Sequence, residues 1–162
     1  MIWFTADTHF GHANVLKYEN RPFMDCQEMD EYLIAQWNQY VEPGDTIYHL
    51  GDFAFCGVDR MREIFSQLNG NKHLILGNHD DNRTRKLGWG SIDWYREIKY
   101  AGTKVCLFHF PIENWNGKHH GFYHFHGHCH SNQVDSCNGL RLNVGVDVSG
   151  FSPISIEGLL DG

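Results

Sequence analysis

Apolar residues fall along this chain in two rhythms, and the shorter one keeps ending in the same way. "MIWFTA" (1–6), "TIYHL" (46–50), "KHLILGNHDD" (72–81), "KVCLFHFP" (104–111) and "FYHFHGHCHS" (122–131) each begin as a short apolar run of strand character that gives way to a turn or a polar cluster. Two longer stretches carry the other rhythm. "CQEMDEYLIAQWNQYV" (26–41) sets Met29, Leu33, Ile34, Trp37 and Tyr40 or Val41 on one helical face. "DRMREIFSQL" (59–68) is amphipathic too, with an Asp near its start and "NGN" as its stop. "LRLNVGV" (140–146) predicts a further strand, and "SPISIEGLL" (152–160) a strand or short helix. Strands alternating with helices predict an α/β domain. Residues 81–101 and 111–121 follow neither rhythm. They are expected to be irregular loops, where specificity is carried on a rigid scaffold.

A length of 162 residues with 41% hydrophobic and 14% aromatic residues suits one domain, 1–162, with a core of its own. No run approaches the ~18 apolar residues of a membrane span, and the N-terminal segment lacks a basic flank and a cleavage site, so a soluble, cytoplasmic protein is expected. The five cysteines show no CxxC pair and no regular spacing, which argues against a disulfide framework or a thiolate zinc site. A formal charge of −7 argues against stable binding of nucleic acid through a broad basic face. A phosphate-bearing substrate is compatible with that charge, because bound divalent cations reverse the local sign.

The composition does contain 12 histidines, and several share one context. The strand runs lead into "ADTH" (6–9), "GD" (51–52), "GNHD" (77–80), "FHFP" (108–111) and "HGHCH" (126–130). Each has an ordinary reading alone: Gly-Asp and Gly-Asn are turn chemistry, and a lone histidine is usually a satisfied core residue. Asp7 and His9 share a side if the backbone between them stays extended. In α/β sheets, however, ligand sites collect beyond the carboxyl ends of strands. Five such ends bearing oxygen and nitrogen ligands predict one shared site.

In order and spacing, Asp7-Thr8-His9, Gly51-Asp52, Gly77-Asn78-His79-Asp80, His109 and Gly127-His128-Cys129-His130 resemble the calcineurin-like metallophosphoesterase superfamily, most of all its small single-domain bacterial and phage members. The resemblance implies a four-layer α-β-β-α sandwich of two mixed sheets flanked by helices. It assigns Asp7, His9, Asp52 and His130 to one metal, and Asp52, Asn78, His109 and His128 to a second, with Asp52 bridging. Cys129 is not a ligand, and His126 is expected to support the ligands or to be structural. The implied activity is hydrolysis of a small phosphodiester, a nucleotide among the plausible substrates. Two metals ~4 Å apart would neutralise the phosphate oxygens and generate a bridging hydroxide. Mixed oxygen and imidazole ligands suit transition metals, with Mn²⁺ expected in vitro and Fe²⁺, Ni²⁺ or Zn²⁺ as alternatives. His79, beside the ligand Asn78, is the implied catalytic residue that assists the leaving group.

One departure stands out. Protein phosphatases of the superfamily extend the second motif to GDxxDRG, whereas residues 51–57 read "GDFAFCG", with Phe55 in place of the Asp that supports the catalytic histidine. A Ser/Thr protein phosphatase is therefore not expected. For phosphate contacts the candidates are His12 and Arg21, against the ordinary reading of a cap histidine and a solvated arginine. Arg83, Arg85 and Lys86 are a solvated face or a polyanion screen. Trp89, Trp94 and Trp115 are packing residues or stacking surfaces. The alternatives to a phosphodiesterase are a nuclease or phosphomonoesterase of the same superfamily, or a metal-binding scaffold without activity. Retention of every predicted ligand and of His79 disfavours the scaffold.

Overall fold

Strand β1 (Ile2–Thr5) belongs to a five-stranded sheet, one place in from its edge. In this computed structural model, which describes residues 1–161, β2 (Thr46–His49), β3 (Asn71–Ile75) and β4 (Ser91–Asp93) extend the sheet in parallel on one side of β1. β9 (Ile154–Ser155) closes the other side antiparallel. A second sheet, β5-β6-β7-β8, pairs β5 (Tyr95–Tyr100) antiparallel with β6 (Thr103–Phe108), followed in parallel by β7 (Tyr123–His126) and β8 (Arg141–Asn143).

Period-two alternation explains how the layers stack. Phe4, Tyr48, Leu50 and Ile75 from the first sheet meet Val105, Leu107, Phe125 and Val144 from the second in one apolar layer. Ile47, on the opposite face of β2, packs beneath α2 (Cys26–Tyr40) and α3 (Val58–Gln67), joining Met29, Leu33, Trp37, Met61, Ile64 and Phe65. Each of these large side chains contributes roughly 1.5–3 kcal/mol on burial. Asp25 caps α2 by accepting the Glu28 N–H at 2.9 Å, as an Asp before an apolar-periodic run should. The outer face of the second sheet is covered by segment 110–120, which ends in a 3₁₀ turn (Lys118–His120) and not a long helix. It is tied down by the Trp115 ring over His124 and by Arg141, which donates to the Ile112 carbonyl at 2.9 Å. The two mixed sheets with helices are the architecture the sequence motifs implied.

The segment 81–101 departs from expectation. It holds α4 (Asn82–Arg85), β4 and β5, so each sheet draws an edge strand from it. β5 alternates exposed and half-buried residues along its whole length. An edge strand of this kind carries charged side chains on its open face, and that masks its periodicity in the sequence.

Both sheets present the carboxyl ends of their parallel strands at one margin. There the two sheets are joined: Ala6 bridges to Gly145, and the Val146 N–H donates to the Ala6 carbonyl at 3.0 Å. Among the described residues no helix is long and apolar enough to cross a membrane.

Candidate active site

Beyond the joined margin, the loops after β1, β2, β3, β6 and β7 deliver polar side chains to one place. Asp7, His9 and His130 each offer a ligand atom within 4.8 Å of the others, and so do Asp52, His109 and His128. Asp52 stands between the two groups, its Oδ2 lying 3.7 Å from His9 Nε2 and 3.5 Å from His109 Nε2. Asn78 Oδ1 approaches His109 Nε2 at 3.1 Å. All seven side chains expected from sequence as metal ligands are thus brought together.

The way they converge differs from the extended backbone considered for Asp7 and His9. β1 stops at Thr5, and both residues take left-handed backbone, φ 55° and 50°; so do Asp52 (58°), His128 (68°) and His130 (49°). Each non-glycine residue held there stores about 1–2 kcal/mol of strain. The surroundings hold them: Asp7 N–H donates to the Gly51 carbonyl at 2.9 Å and His9 N–H to the Asp52 carbonyl at 3.1 Å. Gly127 is required by close approach, since a Cβ there would sit 2.6 Å from Asp7 Oδ2. With that space open, the His128 N–H donates to Asp7 Oδ2 at 2.8 Å.

Electrostatically the site gathers carboxylate and imidazole lone pairs in a largely buried setting. Asp7 is fully buried, and burial, partly offset by His109 and His130, pushes its carboxyl up to about 7. Burial lowers His9 to about 3, so it is neutral at ordinary pH. Asp7 Oδ1 and His9 Nε2 have no hydrogen-bond partner, although buried polar atoms nearly always have one. His109 donates from Nδ1 to the Leu50 carbonyl at 2.6 Å, which turns Nε2 toward Asp52 and Asn78. Burial alone would lower the His109 pKa, but Asp52 and Asp7 outweigh it and raise it.

Two supports were not singled out from sequence as such. Asp80 accepts three backbone N–H groups, from Asp52 and Gly77 at 2.8 Å and from Phe53 at 3.0 Å, and so fixes the second and third motifs against each other. Its place in "GNHDD" was visible, but its partners depend on the tertiary fold. Asp147, after β8, accepts from His130 Nδ1 at 2.7 Å, leaving Nε2 for the centre. Glu19, His130 and Asp147 also offer ligand atoms within 4.8 Å of one another, a grouping with no motif in the sequence.

Arg21 does not make the phosphate contact expected of it. It is buried at 4% exposure and all its donors are engaged: by Asp147 at 2.8 and 2.9 Å, the Thr8 carbonyl at 2.9 Å, the Asp7 carbonyl at 2.7 Å and Met29 Sδ at 3.4 Å. It therefore braces the first motif and Asp147. His12 does reach the rim, its Nδ1 3.1 Å from His9 Nδ1 and its ring 4.7 Å from Phe55. His79 is exposed at the mouth; its backbone N–H donates to Asp52 Oδ1 at 2.9 Å and its ring lies 5.9 Å from His9. His126 is buried, donating from Nδ1 to the Gly127 carbonyl at 2.8 Å.

The calcineurin-like phosphoesterase family matches residues 1–144 of the chain, a span that takes in every one of these motifs. The chain belongs to this family. It is 37% identical to the uncharacterized protein MJ1445 of Methanocaldococcus jannaschii over 163 residues, 96% of this chain and 87% of that protein. Its fold is similar to that of the protein of unknown function AQ665 from Aquifex aeolicus, with a TM-score of 0.84 at 25% identity, covering 99% of this chain and 98% of the other.

Calcineurin-like phosphoesterases use divalent metal ions, and the residues present fit such ions. The donor set is oxygen and imidazole, and the orphaned Asp7 Oδ1 and His9 Nε2 are the atoms a cation would satisfy. Within this phosphoesterase, the position of the missing Asp is filled by an aromatic ring. Phe55 stands edge-on to His79, with centroids 6.0 Å apart and an 88° angle between planes.

Proposed function

We propose that this phosphoesterase is a dinuclear, metal-dependent hydrolase of small phosphodiesters. The observation that carries the proposal is the position of Asp52, whose Oδ2 faces His9 of one ligand group and His109 of the other. Asp7, His9 and His130 would hold one ion, Asn78, His109 and His128 the second, and Asp52 both, since a carboxylate has lone pairs enough to share. When bound, the pair of ions supplies positive charge for the phosphate oxygens and acidifies the attacking water.

The chain's own residues do the rest. Asp147 holds His130 in the tautomer that points Nε2 inward, and the Leu50 carbonyl does the same for His109. Asp80 keeps Asp52 and the 77–79 turn in one rigid piece, so little rearrangement is needed when substrate arrives. His79 lies at the exposed mouth, outside both ligand groups, where it donates a proton to the departing ester oxygen. His12, at the rim beside His9, is positioned for a non-bridging phosphate oxygen. Mn²⁺ is the ion we expect to support turnover in vitro.

The test is hydrolysis of matched generic phosphodiester and phosphomonoester substrates by metal-free protein reconstituted with Mn²⁺. Diester turnover well above monoester turnover supports the proposal. No turnover of either, with two ions verified bound, would overturn it.

A further inference from the structure

Phe55 is 51% exposed, although the residues before it in the same loop, Phe53 and Ala54, are buried. Its exposure is fixed by the backbone on either side. The Phe55 N–H donates to the Phe10 carbonyl at 2.8 Å, Arg83 donates to the Cys56 carbonyl at 3.2 Å, and Cys56 packs so closely on Gly11 that a Cβ there would lie 2.5 Å from its own. The loop therefore displays an apolar ring on a rigid mount.

That ring lies beside the candidate active site. From His9 it is two ring-to-ring steps away through His12, 5.3 and 4.7 Å, and it meets His79 edge-on at 6.0 Å. Among the described residues it is the one exposed large apolar side chain in ring contact with His12 or His79. Other aromatic candidates are already engaged. Trp89 packs on Phe53 and Phe65, Trp115 is buried over His124, and Phe110 is half-buried against His109, His128 and Phe108. A flat apolar surface left half in water, next to a phosphate-binding centre, suits a ligand that carries a flat ring at a short distance from its phosphate. The ribose of a nucleoside phosphate sets that distance.

We propose that Phe55 is a specificity-determining platform on which a planar aromatic group of the substrate, of the nucleobase class, stacks while its phosphate occupies the metal centre. The proposal rests on the phosphoesterase reading above and names the substrate class for that site. Rings of every base have a π-face, so the platform selects for planarity and not for one base. His12 and His79 both pack against the ring, which stays half exposed to a ligand.

The experiment is calorimetric binding of adenosine 5′-monophosphate and of ribose 5-phosphate to Mn²⁺-loaded wild type, Phe55→Leu and Phe55→Tyr, with diester hydrolysis followed on the same samples. Wild type should bind the nucleotide roughly 5- to 100-fold more tightly than the sugar phosphate. Phe55→Leu, which keeps an apolar cover over His12, should lose that advantage with ribose 5-phosphate affinity unchanged, and Phe55→Tyr should retain it. Equal affinities in wild type, or an advantage that survives in Phe55→Leu, overturns the stacking role while continued diester hydrolysis leaves the phosphoesterase reading standing. Absence of both binding and hydrolysis overturns the two together.

Discussion

Arg21 and Asp147 are locked by paired bonds of 2.8 and 2.9 Å, and the oxygen that takes the second bond also accepts from His130 at 2.7 Å. The guanidinium, the carboxylate and the imidazole form a line that ends at the centre. Such outer partners set the tautomer of a ligating histidine and raise its basicity. Asp147→Asn should therefore weaken retention of one ion by about 10- to 100-fold, with the fold intact. Competition with a fluorescent chelator measures it, and unchanged affinity for both ions would remove Asp147 from the account.

Asp80 makes a separable prediction about stability. Its carboxylate accepts from three buried N–H groups, and an Asn in its place would turn an amide N–H₂ toward donors. Asp80→Asn should lower the unfolding free energy of the metal-free protein by about 1–3 kcal/mol in urea titrations. A variant as stable as wild type would mean that the loops after β2 and β3 hold their shape without it.

These two residues also mark where reading the sequence stops. The chain order of Asp7, His9, Asp52, Asn78, His79, His109, His128 and His130 identifies the candidate site, because strand ends converge in any such sandwich. The helices at 26–41 and 59–68 were legible because a buried stripe repeats every three or four residues. Arg21 departs from the phosphate contact its position suggests, because burial and a partner 126 residues away leave no local trace. Asp147 carries no motif for the same reason, since its partners His130 and Arg21 are brought to it only by the fold. Likewise, β4 and β5 pair through backbone groups at sheet edges, where side-chain pattern is weak.

His79 lies outside both ligand groups, so its loss should separate chemistry from metal binding. His79→Ala should reduce kcat for a diester by about 10²- to 10⁴-fold with the metal content unchanged. The reduction should be smallest for esters whose leaving group departs without a proton. Joint loss of metal and activity would make His79 a ligand.

Asp7 predicts the pH response of the metal-free protein. Burial raises its carboxyl from 3.8 to about 7. A carboxyl with a raised pKa binds its proton more tightly in the folded state, so its contribution to stability declines as pH climbs from about 4 to about 7 and is level above that. Asp7→Asn abolishes this decline. Comparing the two metal-free proteins by denaturant unfolding, the variant should gain on wild type across that window, whereas Mn²⁺ at pH 7.5 should stabilise wild type far more than the variant. Parallel curves across the window would show that Asp7 does not titrate in it.

The central claim is that Asp52 joins two ions into one centre. Metal-free protein titrated with Mn²⁺ and followed by electron paramagnetic resonance addresses it directly. The account predicts two ions per chain with a spin-coupled signal, and loss of coupling in Asp52→Asn. A single ion per chain, or two that remain magnetically independent in wild type, would contradict it.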